Sequence, residues 1–249
     1  MLKMSKPFEN EQRSTQYLRA LTSEQMRRID QVVAQKFFIS SEILMENAGR
    51  LTAYLSTKLC HGKVHLVIGP GNNGGDGLTA ARYLHQWGRL GSVILAVDQA
   101  KLKDLPRLQL QRLNALGVQA QPLETKVNTG AYDLLIDAIL GTAPYRPPEG
   151  PIATAIKFVN DQMCKKLALD LPSGIDADTG NHTDVCVKAD FTLTLGAPKV
   201  GLVSQYVRYY VGELYVADIG IPKEAYSAIG IQMDLPYFGP EQIIGPMQI

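Results

Sequence analysis

The sequence predicts an α/β protein with a doubly wound, mostly parallel sheet in a three-layer α/β/α sandwich, preceded by two N-terminal helices. From residue 63 onward, short apolar runs alternate with helical stretches, which is the pattern of parallel strands joined by crossover helices. Residues 22–60 instead show apolar side chains at three- and four-residue spacing. No linker rich in glycine, proline or serine divides the chain, so we expect a single domain over residues 22–249 after a loose tail over residues 1–21.

The first predicted helix begins at Thr22, which forms a capping-box pair with Gln25. A second helix is predicted over residues 41–60. Each has one apolar stripe, formed by Met26, Ile29, Val33 and Phe37 in the first and by Leu44, Ala48, Leu51, Leu55 and Leu59 in the second. The stripes fit either a homodimer interface, which we expect, or a cover over one face of the sheet.

The remaining elements alternate along the chain. Strands are predicted over residues 64–68, 92–97, 118–122, 132–139, 166–169, 191–195 and 213–219, and helices over residues 78–87, 105–116 and 152–163. In a doubly wound sheet whose first five strands have the order 3-2-1-4-5, strands 1 and 4 adjoin at a topological switch point. Ligands of such sheets bind outside the carboxyl ends of the strands at that point.

Composition restricts the class of protein. The 249 residues are 45% hydrophobic and 20% charged, an ordinary globular balance. A net charge of +1 provides no broad basic field for nucleic acid, and no apolar run approaches the roughly 18 residues of a membrane span. We therefore expect neither nucleic acid nor a membrane as a partner.

The cysteines indicate a reducing compartment. Cys60, Cys164 and Cys186 are odd in number and widely spaced, which argues against a disulfide framework and against a zinc site. The first twenty residues carry no apolar run of the kind found in secretory signals. We expect a cytoplasmic location, with organelle targeting disfavoured but open.

The most informative segment is the turn between the first strand and the next helix, Gly69-Pro70-Gly71-Asn72-Asn73-Gly74-Gly75-Asp76-Gly77. Its glycines match G-x-G-x-x-G, and Asp98 ends the next strand, as in dinucleotide-binding proteins. Two adjacent amides and a carboxylate depart from that pattern. The alternative is a polar turn that caps a helix.

Two further polar groups lie at or close to the carboxyl ends of predicted strands. Asp137 interrupts the apolar run Leu135-Ile136-Asp137-Ala138-Ile139-Leu140, and Asp170 and Ser173 lie in Leu169-Asp170-Leu171-Pro172-Ser173-Gly174. A buried carboxylate needs a partner or a metal. The alternatives are a backbone cap or a lysine partner for Asp137, and a simple turn for the second segment.

All three groups fall near the carboxyl ends of strands 1, 4 and 5, so we expect them to converge. Their ligand atoms are amide, carboxylate and hydroxyl oxygens without convergent histidine or cysteine, which favours a hard cation such as potassium, sodium, magnesium or calcium. Lys199 follows a later strand end, and either reaches a phosphate or carboxylate or lies in a solvated turn.

Together these segments resemble the YjeF N-terminal domain family, whose enzymatic members are NAD(P)H-hydrate epimerases. The matching stretches extend over about residues 22–222 and are Ile29-Asp30, Leu44 to Gly49, Gly69 to Gly77 with Ala81-Arg82, Asp137 to Thr142, Asp170 to Asp176 and Gly196 to Gly201. The resemblance implies a Rossmann-like fold that interconverts the R and S forms of hydrated NADH and NADPH. It also implies one bound potassium ion per subunit.

The resemblance also implies residue roles. The ion ligands are expected at Asn73, Asp137 and Ser173. Substrate contacts are expected at Asn72, Asn73, Gly74, Gly75, Asp76, Gly141, Thr142, Ala143, Pro144, Tyr145, Arg146, Pro147 and Asp170. We assign proton transfer to Asp170, with Asp76 as the second choice, and expect Asp170→Asn to preserve folding while suppressing epimerisation.

Two other functions stay open at this point. One is a non-catalytic dimerisation or binding scaffold of the same fold, and the other is an NAD-dependent dehydrogenase, which depends on the glycine pattern and Asp98 alone. Many bacterial relatives fuse this domain to a dehydratase. Only 27 residues follow Pro222, so we expect the NAD(P)H-hydrate dehydratase partner to be a separate chain.

Overall fold

The computed structural model describes residues 18–123, 133–233, 238 and 241–247. Its strands form one eight-stranded sheet in the order β3-β2-β1-β4-β5-β6-β7-β8, which confirms the predicted 3-2-1-4-5 arrangement. The strands are β1 (Val64–Ile68), β2 (Leu90–Leu95), β3 (Gln121–Pro122), β4 (Leu134–Ala138), β5 (Lys165–Leu169), β6 (Phe191–Leu195), β7 (Glu213–Ala217) and β8 (Ile243–Met247). All neighbours are parallel except β7 and β8.

Helices cover both faces of the sheet, as the predicted three-layer sandwich requires. They are α1 (Ser23–Lys36), α2 (Ser41–Leu59), α3 (Asn72–Gln86), α4 (Asp104–Ala115), α5 (Gly150–Asp161), α6 (Arg208–Val211) and α7 (Lys223–Ala228). Apolar side chains of α1 to α4 and α7 share one core with the strands, whereas α5 packs into a second core on the other face. The sheet is therefore doubly wound, with its switch point between β1 and β4.

The two N-terminal helices pack against this chain's own core. Thr22 and Gln25 form the predicted capping box at the start of α1. In α2, a side chain on Gly49 would place Cβ only 2.4 Å from Cβ of Thr79 in α3, so glycine allows the two helices to touch. The apolar stripes of both helices cover one face of the sheet, and the expected homodimer stays a prediction.

The expected loose tail does not extend to residue 21. Leu18 and Leu21 are buried, and Leu21 forms a parallel bridge with Lys199. Its N–H donates to the Pro198 carbonyl (2.8 Å), and the Val200 N–H donates to the Leu21 carbonyl (3.1 Å). Backbone pairing and burial thus hold the segment before α1 against the carboxyl side of β6, while residues 1–17 lie outside the described part of the chain.

Several boundaries differ from the prediction. Helix α3 begins at Asn72, six residues earlier than expected, so most of the glycine-rich turn is helical. The predicted fourth strand included residue 132, which lies outside the described residues. The antiparallel strand β8 and the short helices α6 and α7 were not predicted, because each carries too few periodic apolar residues to give a signal.

Two expectations from composition can be compared with the structure. Cys60, Cys164 and Cys186 are all free thiols. Among the described helices, none combines the length and apolar character needed to cross a bilayer.

Candidate functional site

The carboxyl ends of β1 and β4 approach each other so closely that only glycine fits between them. A Cβ on Gly69 would lie 1.8 Å from the carbonyl oxygen of Ile139, and a Cβ on Gly74 would lie 2.0 Å from that of Gly69. The glycines therefore allow the start of α3 to pack directly onto the turn after β1. This close approach creates the crevice expected at the switch point.

A cavity of about 500 Å³ opens above this crevice. Of the predicted substrate contacts, the cavity is lined by Asn72, Asn73, Asp76, Gly141, Thr142, Ala143, Pro144 and Asp170. The predicted contacts outside its lining are Gly74, Gly75, Tyr145, Arg146 and Pro147. A Cβ on Gly75 would meet the Met45 side chain at 2.5 Å, so this residue faces the packing of α2 on α3.

One group of polar residues lies at the strand ends and is closely hydrogen-bonded; we call Asn73, Asp137, Leu140 and Ser173 the Asp137 cluster. Asp137 is fully buried and accepts from the Ser173 hydroxyl (2.7 Å), the Ser173 N–H (2.8 Å) and the Ile139 N–H (3.2 Å). Burial nevertheless raises the pKa of Asp137 to about 6, because desolvation outweighs these hydrogen bonds.

Asn73 and Leu140 complete the cluster. The Asn73 amide N–H donates to the Leu140 carbonyl (2.8 Å), and the Leu140 N–H donates to the Ser173 hydroxyl (2.8 Å). The Asn73 side-chain oxygen is buried and has no hydrogen-bond partner within the described part of the chain. An orphaned amide oxygen beside a carboxylate, a hydroxyl and a backbone carbonyl is a donor set that suits a hard cation.

The same donor set argues against a transition metal. Among the described residues, no group of three or more histidine, cysteine, aspartate or glutamate side chains is placed to hold a metal ion. The structure thus brings together the three residues expected as ion ligands, Asn73, Asp137 and Ser173, and their amide, carboxylate and hydroxyl oxygens match a hard cation.

A second group faces the cavity and is charged; we call Asp30, Asp76, Asp170 and Lys199 the Asp170 cluster. Asp170 follows β5 with φ +69, a left-handed backbone conformation that aspartate tolerates better than most residues. Its Oδ1 forms an ion pair with the Lys199 ammonium and accepts from the Leu195 N–H (3.3 Å). Its Oδ2 lies on the cavity side, 3.5 Å from the position that a Cβ on Gly141 would take.

Lys199 is a buried partner of Asp170 rather than a solvated turn lysine. It is 1% exposed, and its ammonium also donates to the Thr194 hydroxyl (3.0 Å) and the Leu195 carbonyl (2.9 Å). All three acceptors lie at the ends of β5 and β6. Because Asp170 neutralises a buried lysine, we expect Asp170→Asn to lower stability as well as activity, which revises the expectation from sequence that it would preserve folding.

Asp76 lies in α3, lines the cavity and is buried. Burial raises the pKa of its carboxyl well above the ordinary value, and the negative charges of Asp170 and Asp30 raise it further, while Lys199 lowers it. Asp76 therefore keeps its proton at higher pH than a solvated aspartate does. A neutral carboxyl group in a cavity can donate a hydrogen bond or a proton.

Asp30 enters the same cavity from α1. It lines the cavity and is exposed to solvent. Partial desolvation by the surrounding protein raises its pKa to about 6, while Lys199 lowers this pKa and Asp170 raises it. Sequence reasoning assigned no role to Asp30 and left Lys199 undecided. Lys199 could have been found from its place after β6, since the other site residues also follow strand ends at this edge.

Asp98, on which a dehydrogenase interpretation depends, lies away from this site. It is exposed and caps a short 3₁₀ helix, where its Oδ1 accepts from the Ala100 N–H (2.7 Å). Asp98 is not one of the described residues that line the cavity. In this structure its carboxylate is used to cap the 3₁₀ helix and does not face the cavity.

The N-terminus of α3 opens into the cavity. Its N-cap is Gly71, which provides no side-chain cap, and Gly75 is the first residue of the turn whose N–H is bonded within the helix, to Gly71 (3.2 Å). The N–H groups of residues 72–74 are therefore available to an anion. The sequence had placed the start of this helix at Leu78, six residues too late.

Similar proteins fall into one family. The family described as "YjeF-related protein N-terminus" matches residues 41–201. An NAD(P)H-hydrate epimerase of Rhodopirellula baltica is 36% identical over 208 residues, covering 82% of this chain and 85% of that protein. A second, from Limosilactobacillus fermentum, is 40% identical over 204 residues, covering 80% and 96%.

A longer relative agrees with this result, and a solved structure shares the fold. The bifunctional NAD(P)H-hydrate repair enzyme Nnr of Thermofilum pendens is 34% identical over 207 residues, which are 80% of this chain but 40% of that enzyme. The crystal structure of yeast ynu0 has the same fold, with a TM-score of 0.76 at 22% identity over 91% of this chain and 99% of the yeast chain. The matched segment contains the Asp137 cluster and three of the four residues of the Asp170 cluster, and this chain belongs to the YjeF-related N-terminal family.

Proposed function

We propose that this protein is an NAD(P)H-hydrate epimerase, an isomerase that interconverts the R and S forms of hydrated NADH and NADPH. Relatives that cover most of the chain carry that name. The observation that carries the proposal is the Asp170–Lys199 ion pair beside protonatable Asp76 in a cavity of about 500 Å³. Such a site can move protons without a redox cofactor or a covalent intermediate.

The reaction needs only proton transfer and a planar intermediate. The substrate carries a hydroxyl group on C6 of the nicotinamide ring, next to the ring nitrogen. When that hydroxyl receives a proton it leaves as water, the nitrogen lone pair forms a double bond to C6, and the stereocentre becomes planar. Water then adds to the other face and returns a proton to the protein, so one water molecule leaves and one enters.

Asp170 is the proton-transfer group best placed for this chemistry. Its Oδ1 is occupied by Lys199, whereas Oδ2 lies on the cavity side near Gly141. In one direction this carboxyl group donates to the leaving hydroxyl, and in the other it accepts from the attacking water. Asp76 is the second choice: it also lines the cavity, and its raised pKa lets it hold a proton.

The diphosphate of the substrate fits the start of α3. Three backbone N–H groups at that helix start point out of the helix, and the helix dipole favours negative charge there. Lys103, at the N-cap of α4, also lines the cavity and adds a positive charge. Substrate contacts at Tyr145, Arg146 and Pro147, which follow the lining residue Pro144, stay predictions.

We propose potassium as the ion held by Asn73, Asp137 and Ser173. Support comes from the orphaned Asn73 oxygen and from the Leu140 carbonyl beside it. A bound cation supplies a fixed positive charge that ties the turns after β1, β4 and β5 together. The residues of this cluster then orient Gly141 and the neighbouring cavity wall, and proton transfer is left to the Asp170 cluster.

A non-catalytic scaffold would have no use for the Asp170 cluster. Charges taken out of water are destabilising unless they are paired, and a buried ion pair is often no better than an apolar pair. Here a lysine that is 1% exposed and three carboxyl groups meet at a cavity. Because burying these charged groups lowers the free energy of unfolding, the arrangement favours a catalytic role over a purely structural one.

Relatives named bifunctional repair enzymes suggest a second step on the same substrate. We propose that a dehydratase consumes one of the two epimers, so that epimerisation makes the whole pool of hydrated cofactor accessible to repair. That the dehydratase is a separate chain, that this chain forms a homodimer and that it works in the cytoplasm stay predictions.

The direct test is whether the purified protein converts pure R-NADHX into a mixture of both epimers, measured by chromatography against a no-enzyme control. We expect a mixture to form at a rate proportional to protein concentration. Asp170→Asn should lower this rate by about 10²- to 10⁴-fold, the usual contribution of a general acid–base group. Circular dichroism must show that the variant is folded at the assay temperature.

Asp161→Asn is a matched control, because Asp161 is an exposed aspartate at the end of α5, on the other face of the sheet. Its rate should equal that of the wild-type protein. An R epimer that stays unchanged with wild-type protein and added potassium would overturn the proposed function. Full activity of folded Asp170→Asn would overturn the role of Asp170.

A further inference from the structure

The proposed reaction inverts a stereocentre, which sets a requirement that Asp170 alone does not meet. Hydroxyl leaves from one face of the ring and water adds to the opposite face. Asp170 follows β5 in a fixed backbone conformation and pairs through Oδ1 with a buried lysine. Its other oxygen, Oδ2, can therefore reach a bound ring from one side of the cavity. Unless the ring turns over in the cavity, a second proton-transfer group must act from another wall.

Asp30 lies on such a wall. Helix α1 lines the cavity through Met26, Arg27 and Asp30, whereas Asp170 follows β5 and Asp76 belongs to α3. Of the three carboxyl groups, Asp30 is the one that is open to solvent and hence to an entering water molecule.

The wall that carries Asp30 is firmly held. At the start of α1, Asp178 accepts from the Ser23 N–H (2.5 Å) and from the Ser23 hydroxyl (2.7 Å). The capping box of Thr22 and the bridge between Leu21 and Lys199 fix the preceding residues. Helix α1 is thereby fixed relative to the segment that carries Lys199, as a catalytic side chain requires.

We infer that Asp30 is a second catalytic residue, which exchanges a proton with the C6 hydroxyl or the incoming water on the ring face opposite to Asp170. The inference rests on the proposed epimerase function. In one direction Asp30 donates the proton that releases water, and Asp170 accepts a proton from the water that adds. The reverse direction exchanges these roles, so each turnover moves one proton from one carboxyl group to the other and leaves the total unchanged.

The charges around Asp30 suit a group that both donates and accepts. Lys199 lowers the pKa of Asp30 and Asp170 raises it. Arg27 lies one turn earlier on α1 and also lines the cavity. The negative charge of Asp30 in turn raises the pKa of Asp76 in α3 and of Tyr226 in α7. With a pKa of about 6, both protonation states are populated near neutral pH. This is the condition for efficient general acid–base catalysis.

Asp30→Asn tests the inference through two rates measured on the same sample. Each pure epimer is incubated with enzyme in water enriched in ¹⁸O. Inversion is followed by chromatography, and oxygen exchange at C6 by mass spectrometry. In the variant we expect inversion of both epimers to fall by about 10²- to 10⁴-fold. The epimer whose hydroxyl faces Asp170 should still exchange its oxygen, because Asp170 can expel and return water on its own face.

Exchange that continues without inversion is a result that a merely structural defect would not produce. Asp161→Asn should exchange and invert as the wild-type protein does, after subtraction of the no-enzyme rates. Unchanged inversion in Asp30→Asn would overturn the inference, and so would an equal loss of inversion and exchange for both epimers. Failure of the proposed function is distinct, since the wild-type protein would then invert neither epimer.

Discussion

The Asp137 cluster and the Asp170 cluster lie at the same edge of the sheet, and both are built around a buried aspartate at the carboxyl end of a parallel strand. Asp137 accepts three hydrogen bonds from neighbouring backbone and hydroxyl groups. It is not one of the described residues that line the cavity. Asp170 instead faces a buried ammonium group, and one of its oxygens lies on the cavity side.

This difference separates a carboxylate that fixes geometry from one that performs chemistry. Hydrogen bonds from the backbone hold Asp137 in one place, where an added cation would complete its surroundings. In the Asp170 cluster, three carboxyl groups share one lysine, so a proton that passes from one carboxyl group to another redistributes charge while the heavy atoms stay in place. The four predictions below test this contrast in order of expected effect.

Lys199→Met should have the largest effect. It leaves Asp170 buried without its cation, and such an unpaired charge typically lowers stability by about 3–5 kcal/mol. Urea unfolding followed by circular dichroism measures the change. Lys103→Met, which removes an exposed cation at the edge of the same cavity, should stay within about 0.5 kcal/mol of the wild-type protein. Equal stability of the two variants would show that the Asp170 cluster does not depend on its lysine.

Asp137→Asn should be less destabilising but should remove the response to potassium. The amide side chain of the variant would have an NH₂ group in place of one carboxylate oxygen, so it would face the Ser173 and Ile139 donors with a donor of its own. A buried donor left without an acceptor typically lowers stability by about 1–3 kcal/mol. In the wild-type protein, replacing choline chloride by potassium chloride at equal ionic strength should raise the melting temperature, because ligand binding to the native state stabilises it. A variant that keeps this rise would show that the ion binds elsewhere.

Asp76→Asn should change how stability depends on pH. The pKa of Asp76 is raised on folding, so the native state holds a proton that the unfolded chain releases above about pH 4. Wild-type stability should therefore fall as pH rises, by up to about 1.4 kcal/mol per pH unit, until Asp76 ionises in the native state. The variant should lack this fall and exceed the wild-type protein in stability at pH 8 but not at pH 4. Parallel profiles would contradict a protonated Asp76.

Asp30→Asn should give the smallest change in stability. The pKa of Asp30 rises to about 6 on folding, so its favourable contribution is complete below about pH 4 and is lost as pH rises to about 6. Melting temperatures at pH 4 to 7 should show the variant slightly more stable than the wild-type protein at the upper end. The difference is small because solvent screens an accessible group. A clear loss of stability at pH 7 would assign Asp30 a structural role.

The sequence was sufficient for the main architecture and for the Asp137 cluster. Alternating apolar runs predict a parallel sheet, and the rule that carboxyl ends converge predicted that the three segments carrying Asn73, Asp137 and Ser173 meet. The choice of these three residues as ion ligands came from the family resemblance. The sequence was insufficient where distant segments decide the outcome. Lys199 is buried because Leu21 pairs with it across the chain, and no local pattern indicates that pairing.

The glycine-rich turn shows another limit of sequence reasoning. Glycine is a poor helix former, so the pattern predicted a loop through Gly77. In the structure α3 starts at Asn72, because Gly74 packs on the Gly69 carbonyl where a side chain would collide. Tertiary packing outweighs propensity here, and strand β8 was missed for a related reason, since its pairing with β7 is visible only in the folded sheet.

The bridge between Leu21 and Lys199 has a consequence for where this protein can be cut. The family match begins at residue 41 and includes the whole Asp137 cluster, yet Leu21 and Asp30 precede it. A fragment that starts at residue 41 would retain every candidate ion ligand but would lose one wall of the cavity and open Lys199 to water. An expression boundary, or a boundary for moving the domain into another protein, therefore belongs before Leu18. The segment matched by the family contains the Asp137 cluster but lacks the wall of the cavity that α1 provides.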